Sequence, residues 1–267
     1  MLAYSYLCSR KLIKDNSFLT HHMRKKRKNN HSIKYDRTVV LAPFNERLAP
    51  EKRTEKAIEL SELITKIATH IICYTIVYHQ DLLKDERLSI AHAFLQRMTT
   101  THMCNHKLTA EGLVYQFEGE SFELHEEYKT MTLTRTVYEH LAMFYFLYEL
   151  PQTEEEKEQA WKEWKSNTLT KRLSYSQAWK YLFSNEDMKQ LYSQLSIHCH
   201  PIYQGLQQYQ SQSLSDQGSD GIPLYLSTSL LAYLCRLFLK QIPNGRDIIK
   251  KAFDDNERFI FDSLAQK

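Results

Sequence analysis

The sequence predicts an all-α fold, a mostly antiparallel bundle of seven to nine helices around one long central helix. Three observations predict it. The 267 residues include only 6 Gly and 6 Pro, so few tight turns are expected. Apolar residues recur at helical spacing along most of the chain. Residues 121–150 contain neither Gly nor Pro, which permits one helix about 45 Å long that ends at Pro151.

The segments around this stretch follow the same pattern. Between residues 52 and 79, apolar positions repeat at i, i+3, i+4 and i+7, as Leu60, Leu63, Ile64, Ile67 and Ile71 show. Residues 109–117 are expected to form a short helix or a loop, and Thr153 is expected to cap the helix after Pro151. Further helices are predicted over residues 85–104, 186–199, 224–240 and 247–264.

Charge separates an N-terminal arm from the remainder. Residues 1–34 hold nine Lys or Arg and one acid, whereas the remainder holds 26 basic and 31 acidic residues. We expect residues 1–34 to be a disordered basic arm, and residues 35–267 to form a single helical domain with a flexible loop at 211–221. The basic cluster is a candidate nucleic-acid contact, although a solvated tail is the favoured interpretation; the cluster consists of Arg24, Lys25, Lys26, Arg27 and Lys28.

The cysteines and the apolar runs favour a cytoplasmic protein. Five cysteines are scattered without a CxxC pair, which indicates reduced thiols rather than a disulfide framework or a metal site, with Cys73 and Cys235 in the core. The apolar run 222–239 is interrupted by Pro223 and Arg236, so a buried helix is favoured over a membrane span. No cofactor-binding motif is present.

The predicted central helix carries the first candidate site. Arg135 and Glu139 are four residues apart, so they share a face within ion-pair reach, while His140 lies about 140° round the helix from Arg135. A structural ion pair that fixes helix docking accounts for the first two residues.

A second candidate site lies at the end of the predicted helix 186–199. Ser196 and His200 are also four residues apart, just before Pro201. They form either a Ser–His pair or the end of the helix, where the His200 side chain would interact with the last backbone carbonyls.

The Arg135-x4-His140 pattern on a long helix resembles the HEPN superfamily. The wider resemblance covers residues 53–209 and includes the Trp-bearing helices after Pro151 and the Ser196-x3-His200 pattern. It is similar to uncharacterised bacterial helical proteins grouped near that superfamily, whose members are small helical bundles, often dimeric, including metal-independent RNases of toxin and defence systems. This chain departs from the nuclease pattern at Thr136, where those members carry Asn, Asp or His.

The resemblance implies roles for particular residues. Arg135 would hold the scissile phosphate of an RNA, and His140 would act as acid or base at the ribose 2′-hydroxyl, with Glu139 and His200 around the pocket. It also implies a second copy of the chain as partner, and no metal or other cofactor.

Two interpretations of function therefore stay open, as does whether the chain is an enzyme. In the first, it is an RNA-associated HEPN-like protein of stress or defence, either an RNase or an inactive relative. In the second, it is a non-catalytic scaffold or interaction module in which Arg135 and Glu139 are a buried ion pair. The first requires Arg135, His140 and His200 to share a cavity or a dimer cleft, and the second pairs them separately.

Overall fold

The structure, a computed structural model, describes residues 50–111, 113–124, 127–182, 192, 195–196 and 221–265. The arm 1–34 with its basic cluster, His200 and the loop residues 211–220 lie outside these ranges. The all-α bundle is confirmed, with nine α-helices and one β-hairpin in the described part. These are α1 Pro50–Tyr78, α2 Glu86–Glu111, β1 Leu113–Phe117, β2 Glu120–Leu124, α3 Glu127–Tyr148, α4 Glu154–Lys165, α5 Leu169–Arg172, α6 Trp179–Leu182, α7 Ile222–Lys240, α8 Gly245–Ala252 and α9 Asp255–Leu264.

Four helices, α1, α2, α3 and α7, enclose the core. α2 and α7 each pack against the other three helices of this group. The long apolar stripes predicted from helical spacing meet at the centre, where burial of large side chains supplies most of the stabilisation. The largest fully buried side chains include Ile64, Ile67, Leu95, Met98, Tyr138, Phe144 and Phe238.

Side-chain contacts fix the directions of these helices. Asn105 bonds Thr134, and the Tyr148 hydroxyl donates to the Arg87 carbonyl, so α2 and α3 run antiparallel. α7 instead runs parallel to α3, because the start of α7 bonds Thr134 and its last residue, Lys240, pairs with Glu149.

The predicted helix over 121–150 is too long at its start. Residues 120–124 form β2, which pairs antiparallel with β1, and α3 begins only at Glu127. Glu118 and Gly119 join the strands with φ values of 50° and 86°, the left-handed geometry of a tight two-residue hairpin turn. Residues 113–117 are accordingly a strand rather than a short helix or loop.

The last predicted helix, 247–264, is also divided. α8 ends at Ala252, and Asp254 starts α9 by accepting from the Glu257 amide while the Glu257 carboxylate accepts from the Asp254 amide. This reciprocal capping box satisfies backbone donors at a new helix start, so it makes the interruption favourable. Thr153 caps α4 in the same way, as predicted.

One of the two cysteines predicted to lie in the core does not. Cys235 on α7 is buried, but Cys73 is exposed. Cys73 follows Lys66 and Thr69 on the outer stripe of α1, so its helical position places it at the surface.

Two described helices are long and apolar enough, by length and composition, to cross a membrane. They are Lys52–Tyr78 in α1 and Ile222–Lys240, which is α7. Within α7, 78% of the apolar window is buried in the bundle, as in the core helix of a soluble protein, against 39% within α1. The buried helix predicted over residues 222–239 is confirmed as α7. The absence of a membrane span stays a prediction.

We expect Gly221→Ala to destabilise the bundle by about 2–5 kcal/mol, from left-handed backbone strain plus overpacking. Gly221 has φ +72°, and an added Cβ would lie 2.8 Å from the Thr54 Cα. Gly119→Ala is the matched control, since Gly119 has φ +86° with nothing within 4 Å. Urea unfolding measures the free energy of unfolding of both variants. An equal decrease in the two would contradict close packing of α7 on α1.

Candidate functional site

Arg135 and Glu139 form the ion pair predicted from their spacing. The Arg135 Nε lies 2.9 Å from the Glu139 Oε1, with 16% and 29% of the two side chains exposed. Tyr192 completes the group, because an Arg135 terminal nitrogen donates to its hydroxyl at 2.9 Å and this hydroxyl donates to Glu139 at 3.1 Å. The Arg135 guanidinium also lies 5.0 Å from the centre of the Tyr192 ring. Each member of the triangle therefore contacts the other two.

The triangle ties α3 to the chain segment that carries Tyr192. The Tyr192 ring lies 5.6 Å from the Tyr138 ring, next to Glu139 on α3. Burial, aided by the Glu139 charge, raises the pKa of Tyr192, so its hydroxyl keeps its proton. The half-buried charges are mutually compensated, which avoids the cost of a lone charge in this position.

His140 lies apart from Arg135, on another face of α3. Its Nδ1 lies 2.6 Å from the Thr136 carbonyl oxygen, and its ring contacts the Phe94 ring edge-on at 6.1 Å. A carbonyl can only accept, so Nδ1 carries the hydrogen and Nε2 carries the lone pair of the neutral ring. Burial, with the nearby positive Arg97, lowers the pKa of His140, which favours that neutral form.

Of the second candidate pair, only Ser196 is described. Its hydroxyl donates to the Tyr192 carbonyl at 2.6 Å, the bond that a serine makes to the preceding turn of a helix. The expected Ser196–His200 contact involves a residue outside the described ranges, so it stays a prediction.

A chain of four polar side chains at the centre of the bundle was not predicted from the sequence. His102 on α2 bonds Ser61 of α1 through Nε2 at 2.8 Å and Ser227 of α7 through Nδ1 at 2.7 Å. His106, one turn further along α2, bonds the same Ser61 hydroxyl through Nδ1 at 3.0 Å. We call this group the His102 chain. Ser61 and Ser227 are buried, as is His102, and His106 is half-buried.

Asn105 adds a polar contact between α2 and α3, and we call the His102 chain together with Asn105 and Thr134 the polar layer. Its amide nitrogen donates to the Thr134 hydroxyl at 3.0 Å. That hydroxyl shares its hydrogen between the carbonyls of Thr130, at 2.8 Å, and Pro223, at 3.0 Å. The Asn105 Oδ1 has no hydrogen-bond partner among the described atoms. Together with the His102 chain, these contacts join all four core helices through polar groups.

Burial sets the charge state of the layer. Removal from water, reinforced by neighbouring His106, lowers the pKa of His102 to about 3. His102 is therefore neutral at physiological pH, with one ring nitrogen donating and the other accepting. Its two serine partners satisfy both nitrogens, which is the condition under which a polar group is tolerated in a core.

The two serines of this layer are closed off from solvent. A nucleophilic serine must meet its substrate, whereas Ser61 and Ser227 are fully enclosed. A surface depression lined by Glu158, Trp161 and Lys165 includes no residue of the layer or of the Arg135 triangle. Within the described residues, no three His, Cys, Asp or Glu side chains come together as metal ligands.

We expect Arg135→Ala to lower the free energy of unfolding by about 1–3 kcal/mol, between the values for exposed and buried pairs. The loss arises because Glu139 would keep its charge without the guanidinium. Tyr192→Phe should cost about 1 kcal/mol through its lost hydrogen bonds. Lys56→Ala, which breaks the exposed pair with Glu59 at 2.6 Å, is the control and should cost under about 1 kcal/mol. Chemical denaturation compares them, and an Arg135→Ala loss no larger than that of Lys56→Ala would contradict a structural tie.

Acidification should destabilise the protein through His102. Between about pH 6.5 and pH 3, the unfolded chain protonates this histidine and the folded chain does not, so stability falls as pH falls. We expect the free energy of unfolding to fall with pH more steeply in the wild type than in His102→Gln. In this window the difference between the two slopes should be up to about 1.4 kcal/mol per pH unit. Urea unfolding at a series of pH values measures both slopes, and parallel slopes would contradict a buried neutral His102.

Comparison with known proteins leaves the resemblance to HEPN proteins as a prediction. No protein-family model matches the chain, and neither a curated protein nor a solved structure matches it. The geometry of the described residues is therefore the basis on which function is inferred.

Proposed function

We propose that this chain is a non-catalytic helical scaffold or interaction module in which Arg135 and Glu139 form a structural ion pair. The observation that carries the proposal is the triangle in which Arg135 contacts Glu139 through Nε and Tyr192 through a terminal nitrogen. These contacts use the guanidinium to connect segments of the same chain. To hold a phosphate instead, Arg135 would have to give up compensated contacts in a half-buried position, which is unfavourable.

The position of His140 supports the same proposal. It is five residues after Arg135, hence about 140° round α3, and it packs against Phe94 of α2. One helix thus directs the two groups of the expected active site to different neighbours. A cytoplasmic location, expected from the cysteine pattern, belongs to this proposal as well.

A second candidate is metal-independent RNA cleavage by a HEPN-like protein. The specific observation in its favour is the tautomer of His140, whose Nδ1–H is used on the Thr136 carbonyl and whose Nε2 keeps its lone pair. Such a ring suits a general base. The Arg135 required for the phosphate would come from a second copy of the chain.

An RNA-cleavage assay in the presence of a chelator tests both candidates. We expect no cleavage above background from the wild type, because Arg135 and His140 are engaged separately. The variants His140→Ala and Arg135→Ala are run beside His79→Ala, which changes a histidine near the end of α1. Circular dichroism verifies that each variant is folded.

Metal-independent cleavage by the wild type would overturn the scaffold proposal if folded His140→Ala abolished it and His79→Ala retained it. Cleavage that persisted in folded His140→Ala and Arg135→Ala would reject the roles of these residues in the RNase candidate.

A further inference from the structure

The His102 chain runs from a half-buried end to a buried one. It begins at His106, passes through the Ser61 hydroxyl and the His102 ring, and ends at the Ser227 hydroxyl. Each successive distance, 3.0, 2.8 and 2.7 Å, is that of a hydrogen bond. Successive hydrogen bonds therefore connect His106 to Ser227, on the inner face of α7.

The hydrogens of this chain can be counted. Ser61 has one hydrogen, and two imidazole nitrogens face its oxygen, the Nε2 of His102 and the Nδ1 of His106. One of these nitrogens must accept the Ser61 hydrogen, and the other must donate to the Ser61 oxygen. When both rings are neutral, they must therefore share a tautomer, either Nε2–H in both or Nδ1–H in both.

Ser227 decides which tautomer is favoured when both rings are neutral. With Nε2–H in both rings, Ser227 donates its hydrogen to the His102 Nδ1, and every hydrogen inside the chain has an acceptor. With Nδ1–H, Ser227 only accepts, and His102 is the only partner that the described residues give its hydroxyl. A buried hydroxyl hydrogen without an acceptor is unfavourable, so the Nε2–H arrangement is the more stable one.

We propose that protonation of His106 reverses this chain and thereby acts as a pH-sensitive switch on the contact between α2 and α7. One proton from water is gained, on the His106 ring, which then donates from Nδ1 to Ser61. The Ser61 hydrogen turns to the His102 Nε2, and during a transient opening of the chain the His102 ring releases its Nε2 hydrogen to water and takes up one from water on Nδ1. His102 then donates to Ser227, so the proton count rises by one in total and the charge rests on His106.

Few other titratable groups lie on the helix segments packed around His106. Lys107 and Glu111 on α2 pair with each other at 3.7 Å, and Glu59 on α1 pairs with Lys56. The start of α7 contributes Tyr225, whose pKa burial raises well above its usual value, so it stays neutral. On α1, Arg53 lies about two turns before Ser61 and Glu62 is exposed, and on α3 Lys129 is exposed. An imidazole is the side chain whose ordinary charge change falls between pH 5 and 8, and His102 stays neutral there, so the proposal assigns the charge change to His106.

Reversal has a consequence for α7. The Ser227 hydrogen loses its acceptor when His106 gains a proton, so the contact of α7 with α2 weakens at low pH. This effect goes beyond the proposed scaffold function and holds whether or not the chain cleaves RNA.

Nitrogen-15 NMR of the full chain, from about pH 8 to about pH 5, tests the switch because it distinguishes protonated from unprotonated ring nitrogens. We expect the ratio of Nε2–H to Nδ1–H at His102 to fall about tenfold or more, in step with protonation of His106. In His106→Gln, an amide that can bond Ser61 without titrating, the His102 tautomer should not change with pH. The matched control, His79→Gln, should keep the change.

A His102 tautomer that stays constant while His106 titrates in the wild type would overturn the proposal. So would a change of the same size in His106→Gln. The wild-type titration decides the matter by itself if a variant fails to fold.

Discussion

The packing of the bundle depends on one buried side chain, His102. One of its ring nitrogens is hydrogen-bonded to Ser61 and the other to Ser227. Its neighbour Asn105 makes the corresponding contact with Thr134 on α3. Apolar burial favours many ways of packing helices together, whereas each buried polar group left without a partner costs free energy. The layer therefore selects the register in which α1, α3 and α7 lie against α2.

The core contains two zones, one beside the start of α3 and the other beside its end. Near its start, buried Thr130 and Thr134 face the polar layer. Near its end the contacts are aromatic, with the Phe144 and Tyr148 rings stacked at 4.5 Å and the Trp161 ring edge-on to Tyr148 at 5.9 Å. The aromatic zone contributes buried area, and the polar layer contributes specificity. The Arg135 triangle connects α3 to a further segment, which is why we interpret it as part of the architecture.

Features set by neighbours in the sequence could be predicted, and those set by distant partners could not. The Arg135–Glu139 pair and the Thr153 cap follow from spacings of four and three residues. The start of α3 could not be located from helix-compatible composition alone, because residues 120–124 pair with the preceding strand. His102, Asn105 and His106 share one face of α2, which was the available signal, but the partner Ser227 is 125 residues from His102.

Native-state hydrogen exchange measures most directly whether the polar layer holds the four helices as one unit. We expect backbone amides next to Ser61, His102, Thr134 and Ser227 to exchange with a common free energy, equal to that of global unfolding. Each should also show the full dependence on denaturant, because the layer cannot open at one helix without leaving buried polar groups unpaired at the others. Exchange of the α7 amides through a separate opening of lower free energy, while α1, α2 and α3 stay protected, would contradict this account.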